Sequence, residues 1–261
     1  MIVSRATGFR RAVKRFLVRN WATVLVVILS VQLIIVASRY TNVLQTDVFS
    51  ATAVGLLATV VGIFIVFRFN EAYQRWWEAR ILWGGLVNES RNFAREVATF
   101  ITPERAPRVG SLDDAARVQR ELVYRHLAYC NALRLSLRRQ EFWDELAPFL
   151  SPDELRELAP YVNKPTRLAF MQAKQLEGLF GSSMAESMLL AKLDSTMNRL
   201  LDIQGGCERI KSTAFPDEVR FISKAMVWLS AIAVPIAFLS ADKEIHGLEI
   251  VAVIVISLSF M

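Results

Sequence analysis

The sequence predicts an all-α integral membrane protein, with four transmembrane helices and a helical cytoplasmic domain between the second and the third. Three observations predict it. Hydrophobic residues make up 53% of the 261 positions and mean hydropathy is +0.32, above the roughly 45–50% apolar content of an ordinary soluble domain. Yet 21% of residues are charged, and the two kinds are segregated along the chain. No strand-like alternation of any length, internal repeat or low-complexity segment interrupts this pattern. Most telling, an uncharged run from Val48 to Phe67 passes without proline into Arg68-Phe69-Asn70-Glu71-Ala72-Tyr73-Gln74-Arg75-Trp76-Trp77-Glu78-Ala79-Arg80. A helix long enough to cross a bilayer thus continues into water as an aromatic- and arginine-rich stalk.

Residues 1–19 form a basic segment. Arg5, Arg10, Arg11, Lys14, Arg15 and Arg19 precede the first apolar run and no acid does, which reads as a cytoplasmic flank under the positive-inside rule. A nucleic-acid arm is the competing reading, and the apolar run that follows argues against it. A cleaved signal peptide fits poorly, since the run is long and no small-x-small cleavage site follows. Residues 20–67 are a transmembrane hairpin. Its first arm, 20–38, is uncharged with Gln32 as the polar interruption in its middle; it spans about 28 Å, near the hydrocarbon thickness. Its second arm, 48–67, spans about 30 Å. The short Arg39–Asp47 connection is the external turn. Residues 68–224 form the cytoplasmic helical domain. A second hairpin, 225–261, comprises 225–241 and 250–261, joined by a short external turn at Asp242–Gly247. Its last arm, about 12 residues, is too short to span alone, so the natural chain is expected to continue past Met261.

Within the cytoplasmic domain no proline occurs before Pro103, so the second helix is expected to run far past the membrane, with Gly84-Gly85 a weak point. Ser111-Leu112-Asp113-Asp114 reads as a capping box before an amphipathic helix over Ala115–Arg139. Ser151-Pro152-Asp153-Glu154 is a second, with proline at the first helical position. Asn163-Lys164-Pro165-Thr166 breaks the chain before one long helix over Arg167–Leu201, which Gly205-Gly206 ends or bends.

Catalytic signatures are missing: there is no P-loop, GxGxxG, HExxH or GxSxG motif. His126 and Cys130 share a helix face as metal ligands sometimes do, but two ligands make no site and the ordinary reading is a core pair. Cys130 and Cys207 form no CxxC unit and imply no disulfide framework. Glu71 and Glu78 share a face, and with Arg68, Arg75 and Arg80 nearby they read as a salt-bridged stalk rather than an acid–base pair. We therefore expect no catalytic residues, no metal and no cofactor. A transporter is disfavoured too, since no inverted repeat is present and Pro235 alone offers a break.

On the second helix, Thr59, Ile63 and Phe67 stand at i, i+4 and i+8, near one face with about 6 Å between levels. Gly55 and Gly62 would permit close helix approach. By itself such a stripe reads most simply as lipid-facing or bundle core. Were several copies to ring an axis, the same stripe would form stacked apolar rings able to gate by dewetting.

At this point the residues resemble a family. Phe67-Arg68, Tyr73-Gln74-Arg75-Trp76-Trp77-Glu78-Ala79-Arg80, Trp83-Gly84 and Asn88-Glu89-Ser90-Arg91, together with Gly205-Gly206-Cys207-Glu208-Arg209-Ile210, Thr213 and Pro216, resemble the signatures of bestrophins in their bacterial branch. The resemblance covers nearly the whole chain. It implies a homopentameric ion channel in the cell's inner membrane, N-terminus cytoplasmic, whose second helix lines the central pore. Thr59, Ile63 and Phe67 would form the hydrophobic neck, and a cytoplasmic aperture would lie near Met188 on the Arg167–Leu201 helix. The sequence departs from the family at Thr59, usually apolar, whose hydroxyl is expected to bond back to the helix. It departs again at Ala214, where proline is common. The acidic calcium-sensing segment of animal members lies beyond Met261, so no calcium site is implied here. The implied partners are monovalent ions, the bilayer and further copies of the chain, with no nucleic acid. Chloride is the family's usual ion, and the net charge of +6 mildly favours anions; a sodium-type cation channel of the same fold is the alternative. A non-conducting membrane scaffold is the alternative from another class.

Overall fold

A computed structural model describes residues 51–141, 143–213 and 216–219, together with Val18, Trp21, Leu25, Leu29, Gln32, Val36, Phe221, Ile222, Ala225, Met226, Trp228 and Leu229. Among the described residues every regular element is a helix: α1 (Ala51–Phe100), a 3-10 turn (Pro107–Val109), α2 (Leu112–Arg138), α3 (Trp143–Leu146), α4 (Pro152–Leu158), α5 (Lys164–Leu179) and α6 (Met184–Ser212). The chain divides into two compact units, one of 1–72 with 215–261 and one of 73–214. Among the described residues no helix is long and apolar enough to cross a membrane. The expected segments 20–38, 225–241 and 250–261 lie wholly or mostly outside the described residues; α1 carries 51–67 of the second arm.

The second unit is built from the stalk of α1 and from α2, α5 and α6, which pack as an up-down-up-down bundle. Cross-helix partners set the directions. Ser90 meets Cys130 and Phe93 stacks on His126 with centroids 5.0 Å apart, so α1 and α2 run antiparallel. Gln172 donates to the Leu122 carbonyl at 2.8 Å and Gln175 to Glu121 at 3.1 Å, which makes α2 and α5 antiparallel. The core takes one stripe from each helix: Leu86, Phe93 and Val97; Val118, Leu122, Tyr129 and Leu133; Leu168 and Leu176; Leu193, Met197 and Leu200. These three- and four-residue steps are the apolar faces of amphipathic helices.

Several helix starts lie where local chemistry puts them. Ser111 caps α2 by accepting from the Asp114 amide, and its far end closes on Arg139 in the left-handed region, φ 56°, a position glycine more often fills. Ser151 and Glu154 form a complete capping box with Pro152 in the first turn of α4. Asn163 caps α5 by accepting from the Thr166 amide at 3.2 Å.

Two sequence expectations need correcting. The single helix expected over Arg167–Leu201 is two, broken at 180–183. Phe180 is extended, Ser183 accepts from the Glu186 amide, and the Glu186 carboxylate takes the Gly181 amide; this serine N-cap restarts the chain as α6. Met188 therefore stands on a helix that begins at Met184. Nor do Gly205-Gly206 end or bend a helix, because α6 runs through them to Ser212. The long helix expected past the membrane segment is continuous through Gly84-Gly85.

Candidate pore helix and its support

The head of α1 lies in the first unit. Thr59 donates its hydroxyl to the Gly55 carbonyl at 2.8 Å, the back-bond expected of a threonine in an apolar helix. This spends the hydroxyl's proton within the helix. Ile63 and Phe67 are 50% and 63% exposed. Leu56, Val60 and Val66 are comparably exposed, so exposure alone does not separate the stripe from the rest of this helix.

In the second unit, the two sequence motifs turn out to be the two sides of one seam. α1 and α6 run antiparallel. Arg75 donates to the Thr213 carbonyl at 2.9 Å, and Arg209 pairs with Glu78 at 2.5 Å. A Cβ on Gly206 would come within 2.8 Å of Leu82, and one on Gly85 within 3.3 Å of Ile203. Next, Arg199 pairs with Glu89 at 2.9 Å, and Thr196 donates to Glu96 at 2.7 Å. On α1 the partners advance in steps of three and four, the spacing of a coiled-coil-like contact. The glycines are thus explained by close helix approach, not by helix termination. Glu78 answers to Arg209 on the facing helix, a correction to the stalk in which it pairs with its own neighbours. Gly205, one residue on, points into open space.

Trp76 and Trp77 stand on the outer side of this seam, about half exposed, and cluster with Tyr73 at centroid separations of 5.7–6.4 Å. Glu208 turns the other way, towards α5. It accepts from Asn163 at 3.1 Å and from Gln204 at 2.8 Å, tying the cap of α5 to α6. Met188 is 66% exposed near the start of α6. Thr59, Ile63 and Phe67 share one helix; Met188 belongs to the helix bound to that helix's stalk.

Sequence reasoning missed the polar groups inside the bundle. Glu96 is fully buried on the apolar face of α1, with Arg95 at 3.3 Å on its other oxygen. Thr196 in turn accepts from Arg199 at 2.9 Å. A glutamate in phase with Leu86, Phe93 and Val97 was the available signal. Arg125 is a second case. Only 8% exposed, it donates to Glu154 at 2.7 Å, to Gln172 at 3.4 Å and to Gln175. Burial pushes the Glu154 carboxyl up, but the Ser151 amide and Arg125 outweigh it and hold it below the usual range.

His126 lies between Phe93 and Tyr129, and burial pushes it down to about 4. Its Nε2 is 3.6 Å from Cys130 Sγ, and burial raises the Cys130 thiol. Packed among these aromatic rings, His126 and Cys130 sit as a pair in the core of the bundle. Cys207 is buried and its thiol is raised for the same reason.

The fold is one already seen in solved structures. A variant of a bacterial bestrophin homologue from Klebsiella pneumoniae superposes with a TM-score of 0.75 at 21% identity, covering 91% of this chain and 84% of that one. A second variant of the same protein gives 0.74 at 21%, covering 94% and 84%. The chain belongs to the bestrophin family: the family model described as Bacterial/Fungal Bestrophin protein matches residues 8–261. Bestrophins are channels rather than enzymes. Among curated relatives, a voltage-dependent anion channel-forming protein of Mesorhizobium japonicum is 29% identical over 197 residues, covering 76% of this chain. The voltage-dependent anion channel-forming protein YneE of Salmonella typhi is 28% identical over 234 residues, 90% of this chain. The chain spans 60% and 71% of the lengths of these two relatives.

Proposed function

We propose that this chain is the subunit of a homopentameric anion channel of the inner membrane, with the N-terminus cytoplasmic and chloride as the conducted ion. The observation that carries the reading is the uninterrupted helix Ala51–Phe100: one element holds an exposed apolar stripe at its head and a bonded seam along its stalk. Copies ringed about an axis would stack Thr59, Ile63 and Phe67 into a neck, with Met188 forming a cytoplasmic aperture. Apolar rings pass ions only when wetted, so such a neck gates without any charged group. Family membership and the names of the relatives support an anion as cargo, as does the net charge of +6. Proteoliposomes loaded with a halide-quenched dye test the reading. Iodide entry dependent on the protein is expected, and entry no faster than in empty vesicles would refute it.

A further inference from the structure

A cleft of about 470 Å³ opens in the second unit, between the middle of α2, the 148–151 connection and the first turn of α4. That volume lies within the range of small-molecule sites. Arg120, Glu121, Tyr124 and Arg125 line it from α2, where four-residue spacing sets Arg120 beside Tyr124 and Glu121 beside Arg125. Phe149 lines it from the connection, its ring 6.2 Å from that of Tyr124 and tilted by 54°. Buried Leu146 and Leu150 pin the connection to the core and so hold this aromatic wall in place. Four charged side chains line the cleft, and three are answered within the protein. Glu121 pairs with Arg117 at 3.3 Å and accepts from Gln175 at 3.1 Å. Glu154 accepts from the Ser151 amide at 2.8 Å and pairs with buried Arg125 at 2.6 Å. Arg125 also donates to Gln172 and Gln175. Arg120 has no acceptor among the described residues, and the Tyr124 hydroxyl has no partner among them either.

We infer that this cleft binds a small aromatic monocarboxylate, with its carboxylate on Arg120 and its ring against Tyr124 and Phe149. A guanidinium meets a carboxylate with two parallel donors, and aromatic side chains take a flat ring in offset or edge-on contact. One unanswered positive group calls for one negative charge. The carboxylates of Glu121 and Glu154 in the same wall select against polyanions, since like charges at close quarters repel. Such a site belongs to the second unit alone and requires no conduction.

Equilibrium dialysis of the full chain in mild detergent against 2-naphthoate, read by the fluorescence of the naphthalene ring, is the test. Wild-type protein should take up one naphthoate per chain saturably, beyond the uptake of empty micelles, and inorganic phosphate at equal concentration should not displace it. Arg120→Met keeps the apolar stem and removes the charge. Its dissociation constant should be roughly 10- to 100-fold higher, the range of a charge-assisted hydrogen bond, and Arg120→Lys should recover part of the loss. Saturating naphthoate should raise the unfolding midpoint of wild-type protein and leave that of Arg120→Met unmoved. Tyr124→Ala, at a half-exposed position, is an independent second variant and should weaken binding about 3- to 10-fold through the lost ring. No saturable uptake by wild-type protein would overturn the inference. Uptake that both variants leave undiminished would overturn it too, placing the ligand elsewhere, and displacement by phosphate would overturn the carboxylate assignment by marking a general anion site.

Discussion

Thr196→Val removes one hydroxyl and almost no volume, from a position where that hydroxyl joins α1 to α6. Thr196 is fully buried and donates at 2.7 Å to Glu96, which is also fully buried. The valine leaves one carboxyl oxygen facing apolar surface. The Arg199 contact to Thr196 is lost as well, but Arg199 keeps Glu89 at 2.9 Å and Ser195 at 2.8 Å, so most of the cost falls on Glu96. A hydrogen bond to a carboxylate contributes about 1.5–3 kcal/mol, and stranding its acceptor adds desolvation. We expect a loss of about 2–3 kcal/mol, or roughly 5–10 °C in midpoint for a protein of this size. The assay is a double-mutant cycle with Glu96→Met, read by thermal unfolding in detergent. Replacing both partners by apolar groups is nearly neutral in principle, and Arg95, largely in water, can release its own contact. The double variant should therefore be more stable than the sum of the single losses predicts, by about 1–2 kcal/mol. A Thr196→Val loss below about 0.5 kcal/mol, or strict additivity, would refute the buried bond.

Further outcomes follow from the same geometry. Gly205→Ala should stabilise by about 0.5–1 kcal/mol through helix propensity, whereas Gly206→Ala must displace Leu82; the two should differ by about 1–3 kcal/mol in unfolding measurements. His126 titrates lower in the folded protein, at about 4, than the 6.5 of an unfolded chain, so the unfolded state takes up its proton first as pH falls. Its contribution is complete above about pH 6.5 and is lost towards pH 4, by up to about 1.4 kcal/mol per pH unit. His126→Phe should remove that slope from a pH series of unfolding midpoints. If Phe67 belongs to the neck, Phe67→Ala should raise single-channel conductance or open probability, and an unchanged current places it outside the pore.

What was legible in the sequence was mostly local. Ser111, Ser151 and Asn163 announce helix starts because a cap is satisfied within three residues of itself. Ser183-Met184-Ala185-Glu186 carries the same signal and was overlooked, because the apolar period of α5 continues in α6 without an obvious phase break. The glycine pair at 205 and 206 misled for the opposite reason. Propensity reads glycine as a terminator, but here a facing leucine needs the space, and Leu82 lies more than a hundred residues away. Glu78 with Arg209, and Glu96 with Thr196, are invisible for that reason too: each residue is ordinary alone, and its meaning lies in a partner that only packing supplies. Motif resemblance captured both halves of the seam without revealing that they touch.

Conduction by the purified protein is the direct test of a channel subunit. Purified protein fused into a planar bilayer under a tenfold potassium chloride gradient should give discrete currents whose reversal potential lies near the chloride equilibrium value. A reversal near the potassium value would contradict the anion assignment. Silence across many fusions of demonstrably assembled protein would contradict the channel itself.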